Sequence, residues 1–237
     1  MRDGGDVRRQ ATLGQGAAGR GWWRSGLAAL VFPATCPGCG QVAEPVCERC
    51  AATLVAAPVA PPPFGVDAWV AAFAYQGVAR ELVARLKYRN ARVALAWLSG
   101  AVAGAVAERD GFYGGSGIVT WVPTTPSRRR HRGFDHAELL ARVTADCLEL
   151  PVRGLLRRLP GPPQTGRDRS ERRTGPRFTA RLLPSPASVL LIDDVSTTGA
   201  SLSAAAMTLR ANGARYVRAA TVARTPIQAT ANYCHGE

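Results

Sequence analysis

The sequence contains no apolar stretch long enough to cross a bilayer. The best run near its start, Leu27 to Phe32, is far short of the roughly 20 residues that a spanning helix needs. Gly and Trp interrupt the approach to that run and no small-residue cleavage site follows it, so the expectation is a cytoplasmic chain without membrane insertion. Aromatic residues are scarce at 7%, thin for a platform that stacks successive nucleic-acid bases. Acids are scarce as well. Seventeen Asp+Glu stand against thirty Lys+Arg, a formal charge of +13, and nearly all the cations are arginine. That field attracts phosphate, whether in a nucleotide, a sugar phosphate, nucleic acid or an anionic membrane surface. No internal repeat is present. A hydrophobic share of 46% over 237 residues suits a soluble globular protein with one sizeable core and a small appendage.

Six cysteines are present, and four fall within fifteen residues as Cys36-x2-Cys39 and Cys47-x2-Cys50. In a cytosolic chain such clustering argues for metal over disulfides. Two tight knuckles of thiolates meet the demand of a tetrahedral structural Zn²⁺. Seven residues between the pairs make a module too small for its own core, so metal would supply its folding energy. Free or redox-active thiols are the alternative. Cys147 reads as core, and Cys234, beside His235, is too isolated to be a ligand.

The chain divides into a disordered tail over 1–21, a short helix with the cysteine module over 22–57, and a Pro-rich linker over 58–66. A main domain over 67–226 and a tail over 227–237 follow. In the main domain, 68–75 and 118–122 read as strands, and 78–86 and 94–107 as helices. The arginine-dense stretch 127–133 reads as a loop before a helix over 135–148. Residues 160–177 form a long loop without core pattern. The run 188–192 is an unbroken apolar strand of the doubly buried parallel kind. A helix over 200–211 and a strand over 216–223 close the pattern. Strands alternating with helices imply an α/β fold on a parallel sheet with right-handed crossovers.

The segment Val189-Leu-Leu-Ile-Asp193-Asp194-Val-Ser-Thr197-Thr198-Gly199-Ala200-Ser201 carries the chemistry. An apolar strand leads into two acids, then a small hydroxyl-rich turn, then a helix. The start of that helix offers free N–H groups and the positive end of its dipole, a ready anion site. Gly199 and Ala200 let the backbone come close, while Thr197, Thr198 and Ser201 add hydroxyl donors. The carboxylates would repel a phosphate placed on them but suit the vicinal hydroxyls of a sugar. Phosphate with a diol beside it describes a ribose 5-phosphate. The plainer alternative is a capped helix after a solvated strand end.

This run resembles the PRPP-binding motif of type I phosphoribosyltransferases. The cysteine pairs, Leu86-Lys87-Tyr88, Val122-Pro123 leading to Arg132-Gly133-Phe134, and Gln164-Thr165-Gly166 resemble one subgroup, the ComF-type proteins tied to DNA uptake in competence. The similarity spans about 27–225. It implies a Rossmann-like parallel sheet with flanking helices, and a reaction in which pyrophosphate leaves PRPP through an oxocarbenium-like state, with Mg²⁺ shared by the diphosphate and the ribose. Preorganised donors neutralise the leaving group in such a reaction. By position, the resemblance gives Asp193, Asp194 and Arg132 catalytic roles. It places Gly133 and Arg132 in the pyrophosphate loop, Arg172 (with Arg169 and Arg173 behind it) in the mobile hood, and Lys87 near the site. The chain departs from the subgroup at Thr174-Gly175-Pro176-Arg177, where the subgroup carries an Asn and a small-residue turn. His131 and His136 read as bystanders.

Three functions stay open: transfer from PRPP to an unidentified acceptor, handling of single-stranded DNA with DNA-uptake machinery, and PRPP sensing without turnover. The acceptor and the oligomeric state are not written in the motifs.

Overall fold

The computed structural model describes residues 35–42, 46–86, 92–109, 117–160, 175–183 and 187–226. The expected tails and early helix, Lys87, Arg169, Arg172, Arg173 and Cys234 lie outside them. Along the chain come α1 (Glu48–Ala52), β1 (Ala68–Ala74), α2 (Gly77–Arg85), α3 (Arg92–Ala107) and β2 (Gly117–Trp121). Next are α4 (Pro126–Arg132), α5 (His136–Cys147), β3 (Leu156–Arg158), β4 (Phe178–Ala180), β5 (Ala187–Ser196), α6 (Ala200–Ala211) and β6 (Ala214–Arg224).

Four strands form one sheet in the order β1-β6-β5-β2, and every neighbouring pair is parallel. This is the α/β architecture expected from the sequence, with the cysteine cluster ahead of it. The unbroken apolar character of β5 has a plain cause, since its side chains alternate between two cores. Leu190 and Ile192 join Phe73, Leu82, Trp97 and Leu140 on the face covered by α3 and α5. Val189 and Leu191 join Leu202, Leu209 and Val217 on the face covered by α6. On the first face Phe73 and Trp97 stack at 5.7 Å with their planes 10° apart, an arrangement that contributes about 1 kcal/mol beyond burial. The alanines and glycines of α3 let α5 approach until Ser99 Oγ reaches the Leu140 carbonyl at 3.5 Å.

The first core does not stop at the sheet. Cys36, Val46, Cys50 and Leu54 belong to it. The chain leaving the cysteines runs along the free edge of β1, where Ala57 N donates to Ala72 O and Ala74 N donates to Val55 O.

Two expectations are corrected here. Residues 126–132 are a helix, not a loop. The Thr125 side chain accepts from Arg128 N, Pro126 opens the first turn, and Gly133 closes the helix in the left-handed region at φ 79°, so caps rather than apolar period define this element. The strand expected over 188–192 runs on to Ser196, because β6 continues to pair with it as far as Ser196↔Arg224. The acidic pair therefore belongs to the strand itself. Among the described residues no helix is long and apolar enough to cross a membrane.

Candidate functional site

Strand β5 lies inside the sheet, with β6 on one side and β2 on the other. Its carboxyl end delivers Asp193 and Asp194 to a sheet edge where the turn 197–199 and α6 follow at once. Gly199 is the N-cap of α6, in the left-handed region at φ 76° and without a side-chain cap bond. The first-turn N–H groups of α6 are thus presented without a competing side-chain oxygen from the cap. Thr197 and Thr198 are exposed beside them, and Thr198 Oγ1 accepts a long 3.4 Å bond from Ala200 N. A Cβ on Gly199 would meet Pro63 at 2.9 Å, so the Pro-rich segment closes down on this turn.

The two carboxyls are neighbours with unlike environments. Each folds back on its own backbone: Asp194 N donates to Asp193 Oδ1, and Val195 N donates to Asp194 Oδ1, both at 2.8 Å. His136 Nε2, at the start of α5, lies 2.9 Å from Asp194 Oδ2. On the other side of that ring, Arg132 Nη1 is 3.3 Å from Nδ1. Arginine has only donors, so in the neutral ring Nδ1 accepts and Nε2–H faces Asp194, and in the protonated ring Nε2–H still does. Burial alone would raise the Asp194 pKa, but the hydrogen bond from His136 and the attraction of its ring overcome this and hold it at about 2. Asp193 goes the other way. Burial, and then the negative charge of Asp194, push it well above the ordinary 3.8. The pair titrates as a unit in which Asp194 ionises first.

The helix α4 sorts its arginines. Arg128, Arg129, Arg130 and His131 are exposed, while Arg132 is half-buried and turned onto His136. Asp135 fixes the junction: its Oδ1 accepts from Ala137 N at 3.1 Å, and its Oδ2 accepts from Thr124 N at 2.9 Å. Of the residues singled out from sequence, the structure thus gathers Asp193, Asp194, Arg132 and the 197–201 turn around one strand exit. Gly133 caps α4 beside them.

Two participants escaped the sequence reading. His136, set aside there as a bystander, is the direct partner of Asp194, a long-range contact that no local pattern announces. Arg158, on β3, lies in the field of Asp193. Its pKa is lowered by burial first and by Arg128 next, with Asp193 opposing both. Its guanidinium rests 5.7 Å over the Phe178 ring.

The four cysteine sulfurs all lie within 4.8 Å of one another, with Cys39 Sγ and Cys47 Sγ at 3.7 Å. Zn–S bonds of about 2.3 Å in a tetrahedron place sulfurs roughly 3.8 Å apart, so the set could hold a zinc ion. Backbone donors already point at the sulfurs: Gly38 N and Cys47 N to Cys36 Sγ, and Cys50 N to Cys47 Sγ, each at 3.4 Å. Burial raises the Cys36 pKa, but backbone hydrogen bonds from Cys47, Cys39 and Gly38 outweigh it and lower the thiol to about 6.

No family model and no curated protein matches the chain. Solved structures do show similarity. They include the allosteric regulatory enzyme of purine biosynthesis, with 15% identity, 59% of this chain covered, 30% of that chain covered and a TM-score of 0.39. The purine phosphoribosyltransferase from Pyrococcus horikoshii Ot3 has 16% identity over 54% of this chain and 83% of its own, with a TM-score of 0.33. The adenine phosphoribosyltransferase from Leishmania donovani has 15% identity over 55% and 64%, with a TM-score of 0.35. This chain therefore spans less than a third of the first of these enzymes.

Proposed function

We propose that the chain is a type I phosphoribosyltransferase of the ComF kind, which grips PRPP at the exit of β5 and releases pyrophosphate as an unidentified acceptor bonds to the ribose. The observation that carries this reading is the placement of Asp193-Asp194 at the end of an internal parallel strand, directly before an α6 N-terminus capped by a left-handed glycine. In this reading the 5-phosphate takes the N–H groups and hydroxyls of 197–201. The ribose diol takes the acidic pair. The Asp194 carboxylate, kept ionised by His136, is the constant acceptor, and Asp193 remains able to give or take a proton.

Departure of pyrophosphate breaks the bond from the ribose C1 to the leaving oxygen, which takes the electron pair. The acceptor then supplies the pair for the new bond. Charge accumulates on the leaving group, and Arg132, the Gly133 backbone and Arg158 are the donors on that side, with Lys87 and Arg172 added by resemblance. Arg132 also positions His136, so it links the acidic pair to the pyrophosphate side. The carboxylate donors of Asp193 and Asp194 suit Mg²⁺, whose chemistry there would be to neutralise diphosphate charge. Zinc at Cys36, Cys39, Cys47 and Cys50 would be structural, because four sulfurs leave no open position. The organisation follows: a cysteine module over 22–57, a connecting segment over 58–66 and the transferase domain over 67–226.

The test is the melting temperature of the zinc-loaded protein with Mg²⁺ during titration with PRPP, beside an Asp193→Asn/Asp194→Asn variant. At 100 times its Kd a ligand of the folded state adds about 2.7 kcal/mol. A PRPP-dependent rise that the variant lacks supports the site; no rise with PRPP removes it. Binding without pyrophosphate release under any acceptor favours the sensor reading. Single-stranded DNA handling has an observation of its own. Tyr216 is 45% exposed, with the Arg215 and Arg218 guanidiniums 5.3 and 6.0 Å from its ring, a stacking group inside positive charge. DNA affinity that falls steeply with salt and is weakened by Tyr216→Ala would favour it.

A further inference from the structure

The outer edge of β1 carries a groove of about 480 Å³ that shares no residue with the Asp193–Ser201 site. The groove exists because of a proline. Chain leaving the cysteines pairs with β1 through Ala57, but Pro58 has no N–H with which to continue, and the segment peels away. Ala56 to Ala60 then form one wall, Trp69 to Ala72 of β1 the floor, and Ala105, Glu108 and Arg109 at the end of α3 the other wall. Arg224 completes the lining from the last position of β6.

Arg224 is the anomaly. It is only 4% exposed, and its guanidinium lies 5.3 Å from the Trp69 ring. Among the described residues no carboxylate forms an ion pair with it, and it lines the groove. A buried arginine is ordinarily paired, because desolvating a charge is costly without compensation. The ring face offsets part of that cost but supplies no acceptor for five N–H donors. Arg109, exposed at the rim, brings a second guanidinium, with Nη1 3.4 Å from the Trp69 carbonyl. Glu108 adds one carboxylate to the same wall against these two guanidiniums, and the rest of the lining is mostly apolar.

We propose that this groove is a second ligand site, for a small organic anion whose carboxylate or phosphate seats on Arg224 and whose apolar body lies on Trp69 and the alanine walls. The volume falls within the roughly 300–1,000 Å³ of small-molecule sites, which likewise combine apolar walls with a few polar groups. A planar guanidinium offers paired parallel N–H donors to either anion.

The experiment titrates the full zinc-loaded chain with benzoate, phenyl phosphate and neutral benzyl alcohol by calorimetry. Expected is saturable binding of at least one anion and at least tenfold weaker binding of the alcohol, the scale of a charged hydrogen bond. Arg224→Met keeps the packed stem and should lose the anion by a similar factor. A Thr197→Val/Thr198→Val variant, altered in the turn that would seat the 5-phosphate, should retain it, which separates this site from the PRPP reading. Benzoate against phenyl phosphate tells a carboxylate ligand from a phosphate ester. Equal binding of alcohol and anions, anion binding unchanged in Arg224→Met, or no binding overturns the proposal. Should Arg224→Met not fold, the alcohol-to-anion ratio on the intact chain decides alone.

Discussion

Replacing His136 by Gln removes the ring that holds Asp194 ionised, and the consequence can be sized. Asp194 sits at about 2 against an ordinary 3.8, a displacement that corresponds to about 2 kcal/mol of native-state stability by linkage. Both side chains are largely buried, at 9% and 15% exposure, so solvent screening takes little from that figure. The sign follows from the direction. A carboxyl with a depressed native pKa contributes fully above its unfolded value and loses the contribution as pH falls from about 4 through 2. Urea unfolding of wild type and His136→Gln at pH 7 should therefore differ by about 2 kcal/mol, with the two curves converging toward pH 2. The variant should also bind PRPP more weakly, since Asp194 loses its fixed orientation. A difference that stays constant from pH 7 to pH 2 would refute this reasoning, because a packing defect has no reason to follow the titration of Asp194.

Asp193→Asn should act in the opposite direction on ligand-free stability. The raised pKa of Asp193 means that its contribution is greatest below about 3.8 and is lost as pH rises through its native value, so the variant should melt higher at pH 7 while its PRPP response falls. Gly199→Ala should cost about 1–3 kcal/mol, from the left-handed φ and the 2.9 Å approach to Pro63. Adding Pro63→Ala should return only part of this in a denaturant melt. Cys36→Ser or Cys50→Ser should lower both the bound zinc and the melting temperature of the whole protein, because both cysteines belong to the main core; an unchanged melting temperature would show the module to be dispensable.

Much of the site was legible because it depends on local order. An apolar run of the doubly buried kind, two acids and a small-residue turn fixed β5, the turn and α6 without any tertiary knowledge, and the cysteine spacing did the same for the sulfur cluster. What escaped depends on distance in sequence. The contact of His136 with Asp194 exists only because α5 packs against the sheet with its first turn at the exit of β5, and a lone histidine announces no such partner. Arg158 lies on a three-residue strand, too short to show alternation. Helix α4 was read as a loop because seven residues without an apolar face have no period to detect, although Thr125-Pro126 and Gly133 were caps in plain view.

Pro63 resting on Gly199 has a consequence for how this protein can change. The ten residues from Ala56 to Gly65 leave the sulfur cluster, wall the groove at β1, cover the turn ahead of α6 and end against Met207. Three chemically unrelated places share one short strap. Insertions there, normally the least constrained kind of change in a loop, would shift all three together. Its length and proline spacing therefore act as one geometric constraint on all three.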